Sequence, residues 1–390
     1  MRWQYRDTVL VVCTLALFVT VFGRVALSPI VPEVAAEFDL SNAVIGLALT
    51  GMWFAYALTQ FPSGILAEWY GERPVVLASV CGTGLAAFVI VGAPGFVVFV
   101  LGAILLGGLA GLHYSVATTL LTRLYGDIGT AIGIHNSGAP LAGLVTPVVV
   151  SWTAVRYGWR PAVALTAVVA LAIFALAVRS LRPTEPRRPD RSLSELLEPG
   201  PILDLLSRPP VVFTGVIAIV AEFTWQGVAS FLPAFFAQYH GYSTTLAGVL
   251  FGAYFVTQGV LQVGVGIVAD RFGRDLAIGI CMITGIVGFL LLVAGSGLVP
   301  IAAGALLLGV GMGWGAAVFP RFMDRLSDAE RSFGFGLFRT AYMTVAASGS
   351  VVVGLLADLF GWRVSFGFLT ALLGLVCALL LANRALGLEY

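Results

Sequence analysis

Three charged side chains stand inside stretches that are otherwise apolar: Arg24 in VFGRVALSPIVP, Glu222 in VAEFTWQG and Arg339 in GLFRTAYM. An arginine at the centre of a membrane segment costs roughly 2.5–3.5 kcal/mol by insertion scales, so such residues face a cavity rather than hydrocarbon. A guanidinium is planar, stays charged and can hold a carboxylate by two parallel hydrogen bonds. Arg24 and Arg339 are therefore candidates for gripping an anion, with snorkelling to the nearby interface the rival role for Arg339, and Glu222 is a candidate for exchanging a proton. Residues four apart share a helix face, which puts Thr20, Arg24 and Ser28 on one stripe. Glu222, Trp225, Gln226 and Ser230 make a second stripe, Tyr254, Gln258 and Gln262 a third, and Trp53, Tyr56 and Gln60 a fourth. With lipid outside, such polar stripes should face a shared lumen. His113 and His135 are further titratable groups in apolar surroundings; His113 is a candidate proton relay, against the plainer role of a packed, hydrogen-bonded histidine.

The elements that carry these residues are membrane spans. Of 390 residues 59% are hydrophobic and 11% charged, where soluble domains carry about 25% charged residues. The net charge of +1 lacks the basic excess of a nucleic-acid binder. Every basic side chain other than histidine is an arginine. Cys13, Cys81, Cys281 and Cys377 are widely separated in apolar runs and read as core residues, with no metal-ligand spacing and no cofactor motif. The basic start and long apolar run at the N-terminus read as a first span rather than a signal peptide.

At about 20 apolar residues per span, twelve candidates can be marked. They are 8–31, 43–66, 74–93, 96–121, 129–152 and 161–179, then 211–236, 245–268, 276–295, 299–320, 333–356 and 363–384. The expected fold is an all-α membrane protein with two pseudo-symmetric six-helix bundles, 1–179 and 211–390, joined by a linker at 180–210. The linker is rich in Pro and Arg and holds one short amphipathic piece, Leu193–Leu197. Sixteen arginines fall on the side of the linker and termini, against Arg156, Arg160 and Arg363 on the other. By the positive-inside rule both termini and the linker are expected in the cytoplasm. The halves repeat: GILAEWYGERP (64–74) returns as GIVADRFGRDL 202 residues later, and YGWR (157–160) as FGWR 203 residues later. Arg24 aligns with Trp225, and Asn136 with Arg339. Parallel repeats of this kind build secondary transporters with a site between the halves at mid-depth.

The two repeated loops resemble the loop signature of the major facilitator superfamily, in which they join the second to the third helix and the eighth to the ninth. The resemblance covers essentially the whole chain. It implies a cytoplasmic gate formed by Gly64, Glu68, Gly71 and Arg73 in one copy and Asp270, Arg271, Gly273 and Arg274 in the other. Gly64 and Gly266 are expected to allow close helix approach. Arg24 eight residues before Pro32, followed by AAEFDLS and AYALTQFPSG, is similar to the first two helices of the anion:cation symporter family, as GIHNSG (133–138) is to its fifth. That resemblance gives Arg24 an organic anion to engage. Gly23 stands where an acidic residue often precedes the arginine.

Helices one and seven line the central cavity in this superfamily, so Arg24 and Glu222 are expected to face each other and to pair when the site is empty. An anion competing for Arg24 would release Glu222 to take up a proton. The expected substrate contacts are Arg24, Arg339, Tyr56, Gln60, Asn136, Trp225, Gln226, Gln258 and Tyr342. If both arginines reach the cavity, a dicarboxylate fits better than a monocarboxylate. Trp314 is expected as an aromatic wall or plain packing.

The function expected is secondary transport of a small, carboxylate-like anion across the cell membrane by alternating access, with protons as a possible coupling partner and a monomer as the family default. NSGAPLAG (136–143) faintly resembles an exporter motif, which keeps a proton-driven multidrug or metabolite exporter as the alternative. A membrane receptor that binds without transport is the rival from another class. No GxxxxGK[ST], HExxH or GxSxG is present, which argues against nucleotide-driven transport and against an intramembrane enzyme.

Overall fold

Prolines decide where the first span ends. The apolar run continues to residue 31, yet the helix stops at Val25 and restarts as Val31–Phe38, because Pro29 has no N–H to donate and its ring blocks a continuous helix. Ser28 therefore lies beyond the first helix and not on the Arg24 stripe. Its Oγ donates to the Ser230 carbonyl at 3.0 Å.

The computed structural model describes residues 3–126, 128–187, 199–327 and 330–388, which contain helices and no strand. Twelve helices are long and apolar enough to cross a membrane. Spans one to six are Tyr5–Val25, Asn42–Tyr70, Glu72–Val91, Phe96–Leu124, Ile128–Tyr157 and Trp159–Ser180. Spans seven to twelve are Pro209–Gln238, Thr244–Phe272, Arg274–Ala294, Leu298–Met323, Gly334–Phe360 and Trp362–Leu386. The amphipathic piece expected at Leu193–Leu197 lies outside the described residues; a short helix, Pro199–Ser207, leads into span seven.

Close approach inside each bundle depends on small residues. Gly107 is the sharpest case, since a Cβ there would sit 1.9 Å from the Met52 carbonyl oxygen. Gly107→Val is expected to lower stability by about 1–3 kcal/mol through overpacking. A thermal unfolding midpoint unchanged from wild type would contradict this, with Gly279→Ala, which meets nothing within 4 Å, as the neutral control.

The bundles meet mainly at the end opposite the chain termini. There the Asp358 carboxylate accepts from the backbone N–H of Asn42 (3.1 Å) and Ala43 (2.7 Å) and from the Asn42 side chain (2.9 Å). Val351 N donates to Thr50 Oγ1 at 3.0 Å, and Trp53 Nε1 to Ser230 Oγ at 3.2 Å. A Cβ at Gly354 would come within 2.4 Å of the Asn42 carbonyl, so spans two and eleven touch backbone to backbone. Glu33 lies beside this seam, and burial pushes its carboxyl above the usual carboxylate range.

Towards the termini the bundles part. Residues 260–264 of span eight are all exposed, and five consecutive helical residues cover every side of a helix, including the one facing the first bundle. The close approach expected at Gly64 and Gly266 is therefore absent: a Cβ at either would meet no heavy atom within 4 Å. The reason is that the tight seam lies in the opposite halves of the spans.

Candidate functional site

A cavity of about 280 Å³ lies between the bundles at mid-depth. Arg24 enters it from span one, which packs its apolar face on the rest of the first bundle and leaves this one cation pointing inward. Its Nε donates to the Thr20 carbonyl at 3.2 Å, and its guanidinium carbon lies 3.8 Å from the Tyr56 ring centroid and 5.2 Å from that of Trp53. Two aromatic faces hold the charge without neutralising it.

Arg339 enters from span eleven. Its guanidinium lies 4.4 Å from the centre of the Tyr114 ring, and its buried Nε has no hydrogen-bond partner among the described residues. It reaches the cavity and does not extend along the helix to the membrane surface. Glu222 lines the same cavity, only 7% exposed, and its Oε1 accepts from Gln226 Nε2 at 3.1 Å. The direct Arg24–Glu222 pair expected from the sequence is not formed: among the described residues no carboxylate lies within 4 Å of either arginine. The aromatic faces keep Arg24 in place, while Gln226 holds the carboxylate.

Tyr56, Trp225 and Gln258 line the cavity as their stripes implied, and so do Asn136 and Tyr342. Gln60 and Gln226 do not. Gln60 is buried with its amide directed at the Gly111 carbonyl (3.4 Å), where span four breaks between two helical pieces. Gln258 serves the matching break of span ten by donating to the Met312 carbonyl at 3.0 Å, though it keeps a cavity face. Tyr254, on the same stripe, is fully buried away from the cavity. His113 lies behind the lining: its Nε2 is 3.1 Å from the Cys13 carbonyl, and its ring centre is 5.5 Å from that of His135.

Trp53, Trp314, Phe319 and Tyr114 add aromatic wall, and Gln262 a further polar side chain. Tyr114 gives no periodic signal, because it follows the break at Leu112 that restarts the helical phase. The indole nitrogens of Trp225 and Trp314 are buried without partners among the described residues. With Arg339 Nε they make three donors awaiting an acceptor.

At the terminus-bearing end the expected gate residues form networks inside each bundle. The most heavily paired acid in the first copy is Glu72, to which the loop resemblance gives no role; it is 1% exposed and pairs with Arg123 (2.7 Å) and Arg187 (2.8 Å). Arg73 donates to the Val178 carbonyl at 3.2 Å, and the Glu68 carbonyl accepts from Arg187 N at 2.9 Å. Gly71 and Gly273 take positive φ, 84° and 100°, at the matching turns. In the second copy Arg274 pairs with Asp270 and, at 3.2 Å, with Asp324, while Arg271 is exposed.

A family model described as Major Facilitator Superfamily matches residues 13–243 and 214–386. The chain is 27% identical over 387 residues to the "Transcription regulatory protein OpdE" of Pseudomonas aeruginosa, covering 95% of this chain and 90% of that one. It is 22% identical over 312 residues to the "Hexuronate transporter" of Bacillus subtilis, covering 75% and 73%. Among solved structures, a bacterial homologue of the human lysosomal transporter Spinster superposes with a TM-score of 0.80 at 16% identity, covering 98% of each chain.

Proposed function

This chain belongs to the major facilitator superfamily, and from that premise we propose that it is a secondary transporter of a small organic anion, working by alternating access. The observation that carries this reading is the cavity charge: Arg24 and Arg339 face one cavity between the bundles with no carboxylate within 4 Å among the described residues. Unneutralised cations at mid-depth are costly and mark a substrate path. Three unpaired buried donors favour an acceptor-rich cargo such as a carboxylate carrying hydroxyls. With Glu222 charged the three groups sum to one positive charge, which suits a monoanion; with Glu222 protonated they suit a dianion.

Glu222 is the coupling residue in this reading, and His113, outside the lining, has no part in it. Glu222→Gln is expected to abolish proton-driven accumulation in proteoliposomes while cargo exchange continues. Undiminished accumulation would remove Glu222 from coupling. The protein is read as a plasma-membrane monomer with cytoplasmic termini, the bundles sitting open toward the cytoplasm and sealed at the Asp358 seam. The charged loops around Glu72 and Asp270 would latch that side in the opposite state.

A second reading, a ligand sensor that does not transport, is favoured by the regulatory name of the Pseudomonas relative. One experiment decides between them. Carboxylates, sulfonates and sugar phosphates are screened for thermal stabilisation of the purified protein, and hits are tested for counterflow in proteoliposomes. A transporter gives counterflow of the stabilising anion; stabilisation without counterflow overturns transport in favour of sensing.

A further inference from the structure

Between the central cavity and the Asp358 seam lies a small polar cluster that touches both. Trp53, on span two, turns its ring toward Arg24, whose guanidinium carbon lies 5.2 Å from the ring centroid. The same indole sends its N–H across to the second bundle, where Ser230 Oγ accepts it at 3.2 Å. Because that oxygen accepts from Trp53, its own proton is free to reach Ser350 Oγ, 2.7 Å away. Ser28, just past span one, donates to the Ser230 carbonyl at 3.0 Å. Ser230 thus takes two hydrogen bonds from the first bundle, and all four residues are buried.

Backbone packing fixes the acceptor side of this cluster. A Cβ on Gly349 would lie 2.3 Å from the Phe223 carbonyl oxygen, so spans seven and eleven touch backbone to backbone one residue from Ser350. The donor side is held by rings and by the cation. Trp53 stands nearly perpendicular to Tyr56, Arg24 lies over both rings, and Trp225 of span seven meets the indole at 5.3 Å. A cation over an aromatic face attracts the ring and polarises it, which makes the indole N–H a better donor.

We propose that Trp53 is the positioning residue that ties the charge of Arg24 to the seam: the cation holds the indole where its N–H reaches Ser230, and an anion seated on Arg24 loosens that bond and lets the bundles part. This deepens the transport reading and rests on it for the anion. The bonds from Trp53 and Ser28 to Ser230 cross between bundles, so they are lost when the seam opens. An anion compensates the guanidinium or draws it off the ring, removing part of what favours the closed arrangement. By linkage, the open arrangement gains anion affinity by the same factor. The loaded protein therefore changes state more readily than the empty one, as coupled exchange requires.

The test needs no cargo, because Arg24→Gln removes the charge that a bound anion would compensate. Nitroxide labels are placed at Arg156→Cys and Arg363→Cys, exposed positions at the sealed end, one on each bundle. The full chain is used, with its four native cysteines replaced, and the population at the longer label–label distance reports opening. Arg24→Gln is expected to raise that population about fivefold. Trp53→Phe keeps an aromatic face without the N–H, and Ser230→Ala removes the acceptor. In either background opening is expected to be raised already, with no further rise from Arg24→Gln. Thr50→Val is the control: it removes a different bond across the seam, the one from Val351 N at 3.0 Å, and the whole Arg24→Gln effect is expected to persist in it. No rise from Arg24→Gln alone overturns the proposal, as does a full rise in Ser230→Ala. Loss of the effect in Thr50→Val would make it a property of any loosened seam and overturn the role of Trp53 as well. Because no anion is added, these results stand apart from the affinity measurement that tests the transport reading.

Discussion

Arg24→Gln is expected to weaken binding of the anionic cargo by about a hundredfold or more while leaving the fold intact. A carboxylate held by the planar guanidinium fork gains two charge-assisted hydrogen bonds at about 1.5 kcal/mol each or more, and each 1.4 kcal/mol is a factor of ten. Stability should not suffer, because the arginine's contacts are one bond to the Thr20 carbonyl and the faces of Tyr56 and Trp53. Removing an unneutralised cation from a membrane interior relieves a cost rather than creating one. Arg24→Lys keeps the charge but not the fork, and an intermediate loss is expected. Calorimetric titration with an anion found by thermal screening checks this, alongside the ligand-free unfolding midpoint. Affinity unchanged in Arg24→Gln would remove the anion from the proposal and leave a transporter of some other cargo.

At the opposite end of the molecule, Asp358→Ala is expected to loosen the seam between spans two and eleven. One carboxylate there takes three donors, two of them backbone N–H groups at the start of span two, where a negative charge is also favoured by the helix dipole. The seam is partly open to solvent, so three nominal bonds are discounted to about 1.5 kcal/mol, or roughly tenfold in the population of the state open at that end. The measurement is the labelling rate of Ser28→Cys by an impermeant maleimide added from that side, in a background with the four native cysteines replaced. Ser28 is 2% exposed and bonded across the seam, so its labelling reports opening. A rate equal in the presence and absence of Asp358 would show that the carboxylate does not hold the bundles together.

Much of the molecule was legible one residue type at a time. Arg24, Arg339 and Glu222 stood out because a charge in an apolar run has no cheap place to go except a lumen, and all three line one cavity. Harder to read were polar residues with a backbone carbonyl within reach. Gln60 lies on a polar stripe like Tyr56, yet it is spent on the Gly111 carbonyl exposed by a helix break. The stripe rule assumes an unbroken helix; spans four, five, ten and eleven are interrupted, and the run of span one breaks after Val25. Glu72 was overlooked for a different reason. Its partners, Arg123 and Arg187, lie 51 and 115 residues away, and only folding brings them to it.

The sequence alone determined that the chain is a twelve-span bundle with duplicated halves and buried charges, because hydropathy, repeats and the cost of a charge in lipid are local properties of the chain. The tertiary structure decided which charges meet. Arg24 rests on aromatic rings and not on Glu222, and the seam closes at Asp358 while Gly64 and Gly266 stand open. Those outcomes depend on how two bundles are rotated against each other, and contacts across that interface are set by residues hundreds of positions apart.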